Sequence, residues 1–131
     1  MSIQPQTTQV ATSWPGNFVV DDLVVPLVGG NPVDTATIAG TLKQDVLSTS
    51  YSVTVLTFAF APQTLQVGVA VVPTLKLGTS NLLEVAVDAI DLTAQTIGIR
   101  FRTAAGASAT PPSAAETSEL HLAIFRPLPV R

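Results

Sequence analysis

The chain has 131 residues, with one histidine, no cysteine, nine aspartate or glutamate residues and six lysine or arginine residues, so its chemical repertoire is small. A Ser–His–Asp triad would have to be built on His121, beside a carboxylate and an activated serine. No G-x-S-x-G elbow occurs, and alternation along ELHLAIF (119–125) turns His121 to the outward side of the last predicted strand. A histidine-based metal cluster is excluded by number, and zinc–sulfur sites by the missing cysteines. Asp21 and Asp22 are adjacent, and neighbouring residues of a strand face opposite sides, which is poor geometry for a paired acid and base. Asp88 and Asp91 flank a hairpin turn, but calcium takes six to eight oxygens and that loop supplies too few. Gly29-Gly30 lacks the spacing of a phosphate loop. The expectation is a chain with no catalytic residue, no cofactor and no metal.

The remaining chemistry-bearing residues suit contact rather than catalysis. Arg100 and Arg102 share an outward strand face opposite Glu84 and Asp88, an arrangement that reads as cross-strand ion pairs. It would also serve a carboxylate or a sugar. Trp14, in SWPGN, lies outside the periodic segments and suits either an anchor into a neighbour's pocket or stacking on a sugar. With Tyr51 and His121 these define the candidate interface or sugar contacts: Trp14, Tyr51, Arg100, Arg102 and His121.

The elements that must position them read as strands. NFVVDDLVVPLV (17–28) is β-rich, and Pro26 inside it points to an edge or a bulge. GGNPVDTAT is turn chemistry. Residues 38–50 fit a short strand or one helical turn. SVTVLTFAF (52–60) reads as one strand whose parity shifts at Val55-Leu56, a bulge or twist. TLQVGVAVV (64–72) alternates, with Leu65, Val67, Val69 and Val71 on one side, and PTLKLGTSN follows as a loop. In NLLEVAVDAIDLTAQTIGIRFRT (81–103), Leu83, Val85, Val87 and Ala89 share one face. Asp91–Gln95 turns the chain, and Ile97, Ile99 and Phe101 return along the core side. Residues 104–117 form a loop of small residues and two prolines. The last strand, 119–125, buries Leu120, Leu122 and Ile124. Strands at this spacing, without a helical period, give an all-β antiparallel sandwich of about six to eight strands. The expected organisation is an extended N-terminal arm over 1–16, a β-sandwich domain over 17–125 and a C-terminal tail over 126–131.

Charged residues make up 11% of the chain, against about 25% in an average soluble domain. Six scattered cations and a net charge of −3 do not make the footprint of a nucleic-acid binder. No apolar run approaches the roughly 20 residues of a membrane helix, and the strands are too few and too short, with no aromatic girdle, for an outer-membrane barrel. The first sixteen residues carry neither the basic nor the apolar region of a secretion signal. Charge depletion instead points to a surface largely covered by neighbours, because obligate interfaces are apolar and poor in charge.

The order of elements resembles the H-type lectin domain, the fold of snail agglutinins. An aromatic strand ends in a proline turn (TFAFAPQ), then come LQVGVAVV, a loop to Asn81-Leu82, a hairpin closing on Phe101-x-Thr103 and a final strand, so the resemblance covers about residues 52–125. It implies a six-stranded antiparallel sandwich that tends to form trimers. The family's N-L-R-V reads N-L-L-E-V here, with Glu84 near the arginine position, its T-W reads Thr103-Ala104, and AAGASATPPS replaces the polar residues that follow. A preserved sugar site is therefore not implied. Similar domains occur in bacteriophage fibres and other virion proteins. The expected function is a non-enzymatic structural assembly protein of a phage-type virion, such as a capsid decoration, collar or fibre subunit. It would work as a homo-oligomer, a trimer by the resemblance, bound to other virion proteins, without nucleic acid or membrane insertion. The alternative is a carbohydrate-binding lectin, and the alternative locations are cytoplasmic or secreted without a classical signal.

Overall fold

The computed structural model describes residues 18–28, 33–52, 54–77, 83–103 and 117–127. Its seven strands are β1 (Phe18–Val28), β2 (Val46–Ser52), β3 (Val55–Phe60), β4 (Ala70–Leu77), β5 (Leu83–Asp91), β6 (Thr96–Thr103) and β7 (Thr117–Pro127). They form a three-stranded sheet, β1-β7-β4, and a four-stranded sheet, β2-β3-β6-β5, and every neighbouring pair is antiparallel. The chain is an all-β sandwich, as the strand pattern predicts, with seven strands among the described residues against the six that the lectin resemblance implies. The arm, Trp14 and the 104–116 loop lie outside the described residues.

Alternation builds the core. Leu23, Val25 and Leu27 of β1 and Leu120, Leu122 and Ile124 of β7 point inward from one sheet. Leu56, Phe58 and Phe60 of β3 and Ile97, Ile99 and Phe101 of β6 meet them from the other. Ile38, Leu42 and Leu65 close the gap from the connecting segments. Two packed inner faces of this kind are the usual way for a small antiparallel protein to bury its apolar residues.

Proline placement fits the strand order. Pro26 and Pro73 lie in β1 and β4, the two edge strands of their sheet. Val24 and Ala39 exchange backbone hydrogen bonds at 2.8 and 2.9 Å on the side of β1 away from β7. Pro26, two residues on, presents its nitrogen to that same side, so its missing N–H removes no ladder bond.

Several segments differ from the sequence expectation, each for a local reason. The parity shift in 52–60 is a hairpin: Ser52 pairs with Val55, so 46–52 and 55–60 are separate strands. The ambiguous 38–50 segment holds both elements, a 3-10 turn at Lys43–Asp45 and then β2. Strand β4 starts at Ala70 rather than Thr64, because Gly68 adopts φ +97 and ends the extended run. Val67, expected on a shared face, is 83% exposed. The PTLKL segment, expected as loop, continues β4. In β5 a bulge between Val87 and Ala89 turns Ala89 outward and brings Ile90 against the core. Strand β7 runs on to Pro127, so Arg126 belongs to the sandwich and not to a tail.

Candidate functional site

The outer surfaces of the two sheets carry different chemistry. On the four-stranded sheet, Ser48, Ser50 and Ser52 of β2, Thr57 and Ala59 of β3, and Thr96 and Gly98 of β6 give a low, hydroxyl-rich surface. Arg100 crosses it to Asp88: its Nε donates to Asp88 Oδ1 at 2.9 Å, and Nη2 contacts the same oxygen. Both side chains are about one-third exposed, a setting in which an ion pair contributes little. Arg102 stands opposite Glu84 in the register, and its Nε is buried without a hydrogen-bond partner. Of the two expected cross-strand ion pairs, the described residues contain the first.

His121 lies outward, as its parity predicts, but on β7 of the other sheet. Its Nε2 is 3.2 Å from Glu119 Oε1, two residues back on the same face. Tyr51 is on the inner side of β2, paired with Leu56 and packed against the core. Within one chain these candidates therefore do not converge. Arg100 and Arg102 are on one outer surface, His121 on the opposite one, and Tyr51 faces between the sheets. Trp14 is outside the described residues.

Burial pushes the Tyr51 phenol up to about 12 from the usual 10. The folded chain then holds its proton where the unfolded chain has lost it, so stability is full below pH 10 and falls as pH rises from 10 towards 12. The expected result is a Tyr51 absorbance titration delayed to about pH 12 in the folded chain. Tyr51→Phe should flatten the decline in thermal stability over that window, and titration at pH 10 with the fold intact would refute the assignment.

One polar cluster closes an end of the sandwich, and sequence reasoning did not assemble it. Asp21 is 7% exposed on the inner side of β1. Its Oδ2 accepts from Arg126 Nε at 2.7 Å, and its Oδ1 from Thr41 Oγ1 at 2.9 Å. Asp22 points the other way and accepts from Thr41 N at 2.9 Å. The adjacent aspartates thus clamp one threonine from two sides and do not share a proton site. Nearby, the Gln95 side chain accepts from Leu65 N and donates to the carbonyls of Leu65 and Leu92. Every partner in this cluster is internal, which suits a structural role. Among the described residues no group of three or more His, Cys, Asp or Glu side chains could hold a metal ion.

The outer surface of β1-β7-β4 is the site left to explain. Its residues lie in register rows: Phe18 and Pro127; Val20, Phe125 and Ala70; Asp22, Ala123 and Val72; Val24, His121 and Thr74; Pro26, Glu119 and Lys76. Charge is gathered at the last row and beside His121. In the first three rows every side chain is apolar except Asp22, whose carboxylate is turned to Thr41 N. Val20 is 58% exposed and Val72 53%. Pro127 extends this surface towards Gly68, where an added Cβ would sit 3.3 Å from the proline ring. The fold defines the class as an antiparallel β-sandwich, and the outer surface of β1-β7-β4 carries an exposed apolar patch. No protein-family model, curated protein or solved structure matches the chain.

Proposed function

We propose that this chain is a non-enzymatic assembly subunit that works as a homo-oligomer, a trimer or higher, and that its setting is a phage-type virion. One observation carries the reading. The register sets the apolar triplets Ala70-Val71-Val72 of β4 and Ala123-Ile124-Phe125 of β7 opposite each other, and a third triplet, Phe18-Val19-Val20 of β1, joins them where Val20 pairs with Phe125. A strand with one wet face alternates, whereas a strand covered on both faces reads as a continuous apolar run. These triplets have the second pattern, yet of their outward residues Val20, Ala70 and Val72 are exposed and Phe18, Ala123 and Phe125 are half-buried. Contiguous apolar patches of this kind mark interaction surfaces. The low charge content favours the same reading. The virion setting rests on the lectin-like strand order and its occurrence in fibre proteins. No helix among the described residues is long and apolar enough to cross a membrane.

The test is the mass of the chain in solution. Sedimentation equilibrium at micromolar concentration should give an oligomer of at least three chains. The double substitution Val20→Glu, Val72→Glu should give a folded monomer, since it places two carboxylates in the apolar rows. A wild-type chain that sediments as one copy at every concentration would sink the proposal.

A further inference from the structure

We propose that residues 1–17 of one copy dock on the outer surface of the β1-β7-β4 sheet of a neighbouring copy, with Trp14 as the anchor against Val20, Val72 and Phe125. The inference rests on the assembly reading and names the occupant of that surface.

Three observations choose this occupant. The first is charge. Residues 1–17, MSIQPQTTQVATSWPGN, contain no charged side chain and no histidine. They can cover the apolar rows without stripping water from a charge, and Ile3, Val10 and Trp14 supply apolar contact.

The second is where the segment ends. Asn17 precedes Phe18, which stands in the first apolar row, so each subunit delivers the segment at the margin of its own patch. The apolar rows span five residues of β1, from Phe18 to Asp22, or roughly 15 Å. Fully extended, a 17-residue segment reaches roughly 56 Å. Its apolar positions are spread over twelve residues, from Ile3 to Trp14, a span of about 40 Å. The segment is several times longer than the patch beside it, which suits a reach to the next subunit.

The third is the open edge of β1. The backbone of Val24 exchanges hydrogen bonds with Ala39 there. Asp22 N donates to Thr41 Oγ1, and Asp22 O accepts from Leu42 N. The next groups in that direction, the N–H and C=O of Val20, have no partner among the described residues. An extended segment could pair with them while its side chains lie over the rows, which is the usual logic of strand addition at a sheet edge. Pro15 disfavours helical backbone at Trp14 and so favours an extended approach.

The absence of cysteine from the native sequence makes the test clean. Ser13→Cys and Ala70→Cys are prepared as separate chains that keep Trp14 and both exposed valines. Mixed and oxidised, they should form a disulfide between chains. Ser13→Cys mixed with Ser50→Cys, on the outer surface of the other sheet, should not. In the uncrosslinked chain, Trp14→Ser should weaken association roughly 30-fold, as expected for loss of a buried aromatic anchor. If a Ser13→Cys, Ala70→Cys double variant links only within one chain, the segment covers its own sheet and the proposal is overturned. If no link forms while the wild type still sediments as an oligomer, the docking proposal fails and the assembly reading survives. A monomeric wild type without any link would overturn both.

Discussion

Gly40→Ala should lower stability by about 3–5 kcal/mol, a drop of roughly 10–20 °C in the thermal midpoint of a chain this size. Gly40 has φ +119, a conformation that side chains rarely adopt. A Cβ built there would lie 2.3 Å from the carbonyl oxygen of Asp22 and 2.9 Å from Leu23 Cα. Both are backbone atoms of β1, so no rotamer change relieves the clash. Either the 39–42 segment moves away from β1 or β1 itself shifts. In the first case the Val24–Ala39 pair, the Leu42 N to Asp22 O bond and the Thr41 contacts with both aspartates are weakened together. Each lost hydrogen bond costs about 1 kcal/mol, and Leu42, fully buried at 1% exposure, is drawn from the core with them. Gly98→Ala is the control. Gly98 lacks a positive φ, and its added Cβ would meet the side chain of Val55 at 3.2 Å. That contact is with a side-chain methyl, which can give by a few tenths of an ångström, so the loss should be about 1 kcal/mol or less. Equal thermal midpoints for the two variants would show that the close approach of 39–42 to β1 does not hold the fold as described.

The contrast between these glycines also shows what local sequence carries. Alternation placed Ile97, Ile99, Phe101, Leu120, Leu122 and Ile124 on the inner faces, and all six are buried. The 83–103 hairpin was legible because two period-2 runs flank a short polar link, and Pro26 marked an edge strand. Where backbone geometry departs from the repeat, the pattern misleads. LQVGV alternates as well as any strand in the chain, but Gly68 turns at φ +97 and leaves Val67 in solvent. The bulge after Val87 has no marker in AVDAI, and it moves Ile90 inward in place of Ala89. The apolar patch on β1-β7-β4 was hidden for another reason. FVV, AVV and AIF are each visible as unbroken apolar triplets, but that AVV lies opposite AIF and that FVV meets it at Val20 and Phe125 depends on the registers of β1 and β4 with β7, which no local pattern encodes. The candidate contacts were chosen by residue type, and type alone could not say that His121 and Arg100 face away from each other on different sheets.

The Asp21–Arg126 pair tests the same point energetically. The alternation that buries Leu120, Leu122 and Ile124 continues to Arg126, and the alternation of Leu23, Val25 and Leu27 runs back to Asp21. Each charged residue therefore stands on an inner face, and the β1–β7 register sets Asp21 opposite Ile124, next to Arg126. Arg126 keeps 31% of its side chain exposed and Asp21 10%, so the pair sits at the mouth of the sandwich, partly screened by water. Arg126→Met should cost about 2–3 kcal/mol, below the 3–5 of a fully buried pair, because it leaves a largely buried carboxylate with only Thr41 as a partner. Asp21→Leu should cost a similar amount by leaving the guanidinium facing apolar surroundings with one long contact, Thr64 O at 3.4 Å. The double variant Asp21→Leu, Arg126→Met removes both charges and fills the same space with apolar atoms, so it should recover most of the loss. A double-mutant cycle by denaturant unfolding reads the coupling directly. Strong coupling, with the double variant close to wild type, means that the pair chiefly avoids an unpaired charge at that end of the core. Additive losses would mean that Asp21 and Arg126 act separately, Asp21 through Thr41 and Arg126 through Thr64, and the ion pair would then contribute nothing to holding β1 against β7.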